Sequence, residues 1–163
     1  MVLIGIPASG KSTVAALLAS STGLEVLETD AAVEASLDAT ATETFAEPGG
    51  ESEFRRAEEA AALAALEAEG VLVLGSGAIE SAKVRQALDG HRVIWLRTTV
   101  TTATRRLGMT RLGMEVLVDI RTRLDAQLAE RAGWYEAVAS ETIDTDRLGA
   151  AEIAALILAE QEA

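Results

Sequence analysis

The chain of 163 residues contains no cysteine, one histidine and only two lysines, Lys11 and Lys83. Without cysteine there is no disulfide framework, no thiolate zinc site and no cysteine nucleophile, which fits a reducing interior. A serine-hydrolase triad would have to use His91, which stands at the start of an apparent strand, Arg92 to Leu96, with no partner at a suggestive spacing. No apolar run reaches the roughly 18 residues that cross a membrane, and the start lacks a basic segment followed by an apolar stretch and a cleavage site, so a cytoplasmic location is expected. Positive charge is scarce too: 14 Lys and Arg face 26 Asp and Glu, a formal net charge of −12 at pH 7. Nucleic-acid backbones reward clustered lysine and arginine, so this balance argues against a general nucleic-acid binder. An anionic substrate must therefore be drawn by a local basic cleft working against the global field.

Against that background one of the two lysines falls at an informative place. Gly5-Ile6-Pro7-Ala8-Ser9-Gly10-Lys11-Ser12 follows the apolar run Met1 to Ile4 and fits the P-loop pattern of glycine, four residues, glycine, lysine, serine or threonine. Such a loop turns its amides toward phosphate oxygens while the following helix presents its positive dipole end. Lys11 is placed to reach the β- and γ-phosphates, and the Ser12 hydroxyl to hold Mg2+. A nucleoside triphosphate and Mg2+ are the expected ligands, with Ala8, Ser9, Gly10, Lys11, Ser12 and Thr13 forming the cradle. A guanine-specific switch is disfavoured, because the Asn-Lys-x-Asp signature needs a lysine and Lys83 sits in Ala82-Lys83-Val84.

Strand-like and helix-like segments alternate along the chain. Helical spacing predicts helices over Thr13 to Ser20, Ala31 to Leu37, Thr40 to Ala46, Glu51 to about Glu69, Ser81 to Leu88, Thr99 to Leu107, Val116 to Ala132 and Gly149 to Gln161. Short apolar runs predict strands at Met1 to Ile4, Leu24 to Leu27, Val71 to Leu74, Arg92 to Leu96 and Glu141 to Ile143. Val71 to Leu74, bounded by Gly70 and Gly75, reads as a parallel strand buried on both faces. The pattern is that of an α/β protein: a three-layer fold with a five-stranded parallel sheet flanked by helices, in a single domain over residues 1–163. In such folds ligands bind at the carboxyl ends of the strands, where the P-loop, Glu28 with Asp30, and Gly75-Ser76-Gly77 all fall. Asp30 also fits an ordinary helix cap ahead of Ala31 to Leu37, and Gly75 to Gly77 an ordinary turn.

The ordered set of motifs resembles the shikimate kinase family, small P-loop kinases of the nucleoside-monophosphate-kinase-like type. Beyond the P-loop, Glu28-Thr29-Asp30 is similar to the family's Asp-x-Asp, and Phe54-Arg55-Arg56 with Glu58-Glu59 to its Phe-Arg-x-x-Glu helix. Gly75-Ser76-Gly77-Ala78 resembles its Gly-Gly-Gly-Ala loop. Glu130-Arg131-Ala132 with Tyr135, then Ile143-Asp144-Thr145, resembles its Arg-x-x-x-Tyr and Val-Asp-Thr ending. The chain departs from that pattern at several places. Ala8 stands for the third P-loop glycine, Glu28 for an aspartate, Ser76 for the middle loop glycine and Gly133 for a proline, and Met109 to Met114 lacks the Arg-Pro-Leu of the lid.

The resemblance implies transfer of the γ-phosphoryl group of ATP to the 3-hydroxyl of shikimate by a monomeric enzyme. It implies that Asp30 orients the attacking hydroxyl, that Arg55 and Arg131 grip the substrate carboxylate with Glu58 steadying Arg55, and that backbone groups of Ser76 and Gly77 approach the ring. Glu28 would serve Mg2+ beside Ser12. Arg106 and Arg147 would border the adenine and Arg111 would close over the phosphates, although each also suits a solvated surface charge. Residues of about 30–60 would form the substrate-binding region and about 107–118 a mobile lid. Two other readings are a kinase for another polyhydroxy acid such as gluconate and a catalytically weakened nucleotide-binding regulatory protein. Retention of Lys11, Ser12, Asp30, Arg55 and Arg131 together argues against the last.

Overall fold

Side chains alternate between two cores along the central apolar runs. Val2, Ile4, Leu72, Leu74, Val93 and Trp95 enter one buried cluster, whereas Leu3, Val71, Val73, Ile94 and Leu96 enter the other. This period of two, apolar on both sides, demands a sheet covered by helices on each face. The computed structural model describes residues 1–107 and 114–160 and has that arrangement. Strands β1 (Val2–Ile4), β2 (Val26–Glu28), β3 (Val71–Val73), β4 (Val93–Arg97) and β5 (Glu141–Asp144) form one sheet in the order β2-β3-β1-β4-β5. All four pairings are parallel, with Val2 opposite both Leu72 and Val93.

The helices are α1 (Lys11–Thr22), α2 (Thr29–Leu37), α3 (Ala41–Ala46), α4 (Gly50–Leu66), α5 (Ala82–Ala87), α6 (Val100–Arg106), α7 (Met114–Val138) and α8 (Ala150–Ala159), with a 3-10 turn at Ala78–Glu80. Val14 and Leu18 of α1 and Ile153 and Ile157 of α8 cover one face. Ala62 and Leu66 of α4, Val84 of α5 and Leu124 and Tyr135 of α7 cover the other. Because β1 lies between β3 and β4, the chain reverses direction of sheet growth at β1. The loop leaving its carboxyl end therefore opens into the central crevice.

Among the boundaries that differ from the sequence expectation, three have a clear local cause. Helix α2 is capped at Glu28, whose side chain makes no capping hydrogen bond, and Asp30 lies inside the first turn, so Asp30 is not the cap. Helix α4 ends at Leu66 because the next residues tighten into i to i−3 bonds, Glu67 to Ala64 and Ala68 to Ala65, on the way into β3. Helix α7 runs past Ala132 to Val138: Gly133 meets open space and does not break it, while the apolar face continues through Tyr135 and Val138. Half of the lid expected at about 107–118 falls on residues 108–113, which lie outside the described residues, and 114–118 belong to α7.

Candidate active site

The P-loop leaves β1, and Gly10 caps α1. Lys11, the first residue of that helix, is buried and donates from Nζ to the carbonyls of Gly5 (2.8 Å) and Ile6 (3.2 Å), folding over the loop it belongs to. Burial holds its pKa down at about 8, against the nearby carboxylates of Asp30 and Glu28, which raise it. Ala8 adopts a left-handed conformation, φ 59°, at the position where the family has glycine. Ser12 and Thr13 are exposed at the helix start.

Beside the loop lies a hollow of about 500 Å3 lined by Ala8, Ser9, Gly10, Thr13, Arg106 and the Leu148–Ala150 stretch, among others. Arg106 closes one side. Its Nη1 donates to the Ser9 carbonyl (3.2 Å) and the Thr145 hydroxyl (2.9 Å), so α6 and the end of β5 are tied to the phosphate loop. Arg147 is exposed and is not among the lining residues. Arg111 lies outside the described residues.

A second pocket, about 250 Å3, opens at the carboxyl ends of β2 and β3 and is lined by Asp30, Phe54, Arg55, Glu58, Ser76 and Arg131, with Glu34, Ala41, Phe45 and Gln127 completing the wall. Arg55 and Glu58 sit one turn apart on α4, and Arg55 Nη1 lies 2.5 Å from Glu58 Oε2. The other Glu58 oxygen accepts the Gly77 amide at 3.1 Å. Arg131 reaches in from α7, is 2% exposed, and donates from Nη1 to the Ser76 carbonyl at 3.2 Å. Thus the two guanidiniums predicted to grip one carboxylate share a pocket with Asp30 and Ser76, although they come from opposite parts of the chain.

Asp30 stands open to solvent on one side, but the protein around it partly desolvates its carboxyl and raises its pKa; Glu28 pushes the same way and Lys11 opposes. Burial likewise raises the pKa of Glu58, against the Arg55 ion pair. Glu28 is exposed at the end of β2. Among the described residues no group of three or more His, Cys, Asp or Glu gathers as a metal cage. A cation here therefore suits one hydroxyl, Ser12, one or two carboxylates and the phosphates themselves, which is the usual Mg2+ donor set.

The flanking loop glycines leave room for the site's own side chains, which a Cβ would displace. A Cβ at Gly75 would press within 2.6 Å of Glu58 Oε1, and one at Gly77 would overlap the Arg55 guanidinium. Ser76, between them, carries its side chain into the pocket without conflict, with Oγ 3.4 Å from Arg131 Nη1. Gly77 does not line the acceptor pocket; its amide is committed to Glu58.

Sequence reasoning missed Glu80. From the 3-10 turn its carboxylate receives Arg131 through Nε (2.9 Å) and Nη2 (2.5 Å), and its other oxygen lies 3.4 Å from Arg55 Nε. It thus braces both arginines from outside the pocket. Only the acid three residues beyond Gly77 hinted at it. Phe45 was missed as well; its ring lies 4.8 Å from that of Phe54, and the Arg55 guanidinium carbon is 5.9 Å from each ring centroid.

Comparison with known proteins agrees with this geometry. The shikimate kinase family profile matches residues 7–162. A shikimate kinase of Mycobacterium avium is 45% identical over 148 residues, 90% of this chain and 84% of that one. The structure of a shikimate kinase from Acinetobacter baumannii in complex with shikimate superposes with a TM-score of 0.87 at 30% identity, covering 99% of this chain and 91% of that one. A gluconokinase from Sinorhizobium meliloti superposes less well, with a TM-score of 0.63 at 18% identity, over 99% of this chain and 93% of that one, a likeness of fold alone. With its motifs, its sheet order and its paired arginines in one pocket, this chain belongs to the shikimate kinase family.

Proposed function

We propose that this kinase moves the γ-phosphoryl group of ATP onto the 3-hydroxyl of shikimate, in the cleft between the P-loop hollow and the pocket of Asp30, Arg55 and Arg131. The observation that carries the reading is the convergence of the Arg55 and Arg131 guanidiniums on a pocket whose other wall holds Asp30. Two forked cations suit a carboxylate, and a carboxylate across from them suits the hydroxyls of a small ring. Asp30 orients the attacking hydroxyl and accepts its proton. The raised pKa of Asp30 makes it a stronger base than a free aspartate.

Lys11 exchanges its bonds to the Gly5 and Ile6 carbonyls for phosphate oxygens, and the amides of Ala8 to Thr13 complete the cradle. Ser12 and Glu28 would hold Mg2+, Glu28 through water given its length and exposure, and the cation would supply charge neutralisation at the phosphates. Arg106 borders the nucleotide, and Arg111 with the lid of about 107–118 shuts out water. Arg147, exposed and outside the hollow, has the weakest support as an adenine neighbour. The reading has the enzyme working as a monomer in the cytoplasm. No described helix is long and apolar enough to cross a membrane.

A coupled ADP-release assay with shikimate, with gluconate and without acceptor tests the reading. Shikimate-dependent turnover that Asp30→Ala abolishes is the expected result. Turnover with gluconate alone would replace shikimate by another polyhydroxy acid, and ATP binding without turnover would make the chain a regulatory nucleotide binder.

A further inference from the structure

We propose that Gln127 is a specificity-determining residue of the acceptor pocket, its side-chain carbonyl taking a hydrogen bond from a ring hydroxyl that is not phosphorylated. The inference rests on the shikimate reading above. Gln127 lies on α7, one turn before Arg131, so both residues project from the same face of the helix into the same pocket. Its Oε1 is buried and has no hydrogen-bond partner among the described residues.

An orphaned buried carbonyl costs stability, and native proteins keep few of them. Methionine or leucine would fill the same space without that cost, and the Leu124 and Leu128 neighbours show that apolar residues suit this stretch of helix. A polar side chain here is therefore a liability in the free protein that a ligand can discharge. What is missing is a donor, and the hydroxyls of a polyol are donors. Of the other polar side chains on the wall, Arg55 and Arg131 can only donate, Glu58 is taken up by Arg55 and the Gly77 amide, the Ser76 hydroxyl accepts from Arg131, Glu34 accepts the Ala41 amide, and Asp30 faces the hydroxyl that reacts. Among the described residues Gln127 supplies the one buried side-chain oxygen of the wall that has no hydrogen-bond partner, next to the arginine that receives the carboxylate.

Shikimate carries hydroxyls at positions 3, 4 and 5, so the partner is the 4- or the 5-hydroxyl. The test compares wild type with Gln127→Met, using shikimate, 4-deoxyshikimate and 5-deoxyshikimate as acceptors and recording thermal unfolding alongside. Shikimate KM should rise about threefold to tenfold, ATP KM should hold, and the melting temperature should stay level or rise, opposite to a structural role. For one deoxy analogue the gap between wild type and variant should close, because the hydrogen bond is already absent. An unchanged shikimate KM, or an equal KM ratio for all three acceptors, would overturn the assignment. Gln127→Leu repeats the test should Met fail to fold. Absence of wild-type turnover with shikimate is a separate result that removes the underlying reading itself.

Discussion

The Tyr135 hydroxyl donates to the Ser76 carbonyl oxygen at 2.8 Å, joining α7 to the loop after β3. Arg131, one turn earlier, donates to the same oxygen at 3.2 Å. Tyr135 is 1% exposed and its ring lies against Trp95, with centroids 5.7 Å apart, so the phenol is held from both ends. Burial raises its pKa, which keeps it a donor throughout the physiological range.

Tyr135→Phe should therefore loosen the Ser76 loop without opening a cavity. We expect a loss of about 1 kcal/mol in urea unfolding, and a severalfold rise in shikimate KM with ATP KM unchanged. Equal changes in both KM values would show that the bond serves the fold only.

Arg55→Ala and Arg131→Ala should each weaken shikimate binding by about 2 kcal/mol or more, because a charge-assisted pair is lost from a desolvated site. ATP affinity, measured by calorimetry, should change little. Arg131→Ala should also destabilise the free protein more than Arg55→Ala, since Arg131 is the more deeply buried partner of Glu80.

Lys11 makes the nucleotide step pH-dependent. Its pKa of about 8 in the free protein means that the ammonium is lost as pH rises through that value, and a bound triphosphate restores the charge. Accordingly kcat/KM for ATP, which reports the free enzyme, should fall above about pH 8, while kcat holds to higher pH. The linkage has a definite sign. Between about 8 and the unfolded value of 10.5 the unfolded chain holds the proton that the folded chain has released, so this group makes free-protein stability rise with pH across that window. A pH profile of kcat/KM that is flat through pH 9 would contradict the assignment.

Ala8 sits at φ 59°, where a Cβ crowds the backbone at a cost of roughly 1–2 kcal/mol. Glycine removes the crowding and gives back part of the gain through unfolded-chain entropy. Ala8→Gly should therefore raise the unfolding free energy by a net of about 0.5–1 kcal/mol, read as a higher denaturation midpoint with an unchanged m-value. A lowered midpoint would mean that the strain is carried elsewhere.

Much of the molecule is local enough to be read without coordinates. The apolar runs at Val2–Ile4 and Val71–Val73 have buried neighbours on both faces, so periodicity alone identifies central parallel strands. The P-loop is one continuous stretch, and its chemistry travels with its spacing. Helix ends were less legible. The expected helix stops at Ala132, but tertiary packing of Tyr135 and Val138 carries α7 on to Val138. Asp30 reads as a cap, yet the backbone turns into α2 two residues earlier and leaves its carboxylate to the cleft.

By itself, then, the amino-acid order determined the α/β class, the phosphate loop with Lys11 and Ser12, and the residue types that line the acceptor side, because each rests on short-range spacing or on a motif. Only the tertiary structure decided that Glu80 braces both arginines, that Gly77 is spent on Glu58, that Gln127 lines the pocket with an oxygen unpartnered among the described residues, and that Ala8 is wound left-handed. Those facts depend on side chains separated by tens of residues meeting across the carboxyl edge of one sheet, and no periodicity in a linear chain encodes which donor will find which acceptor there.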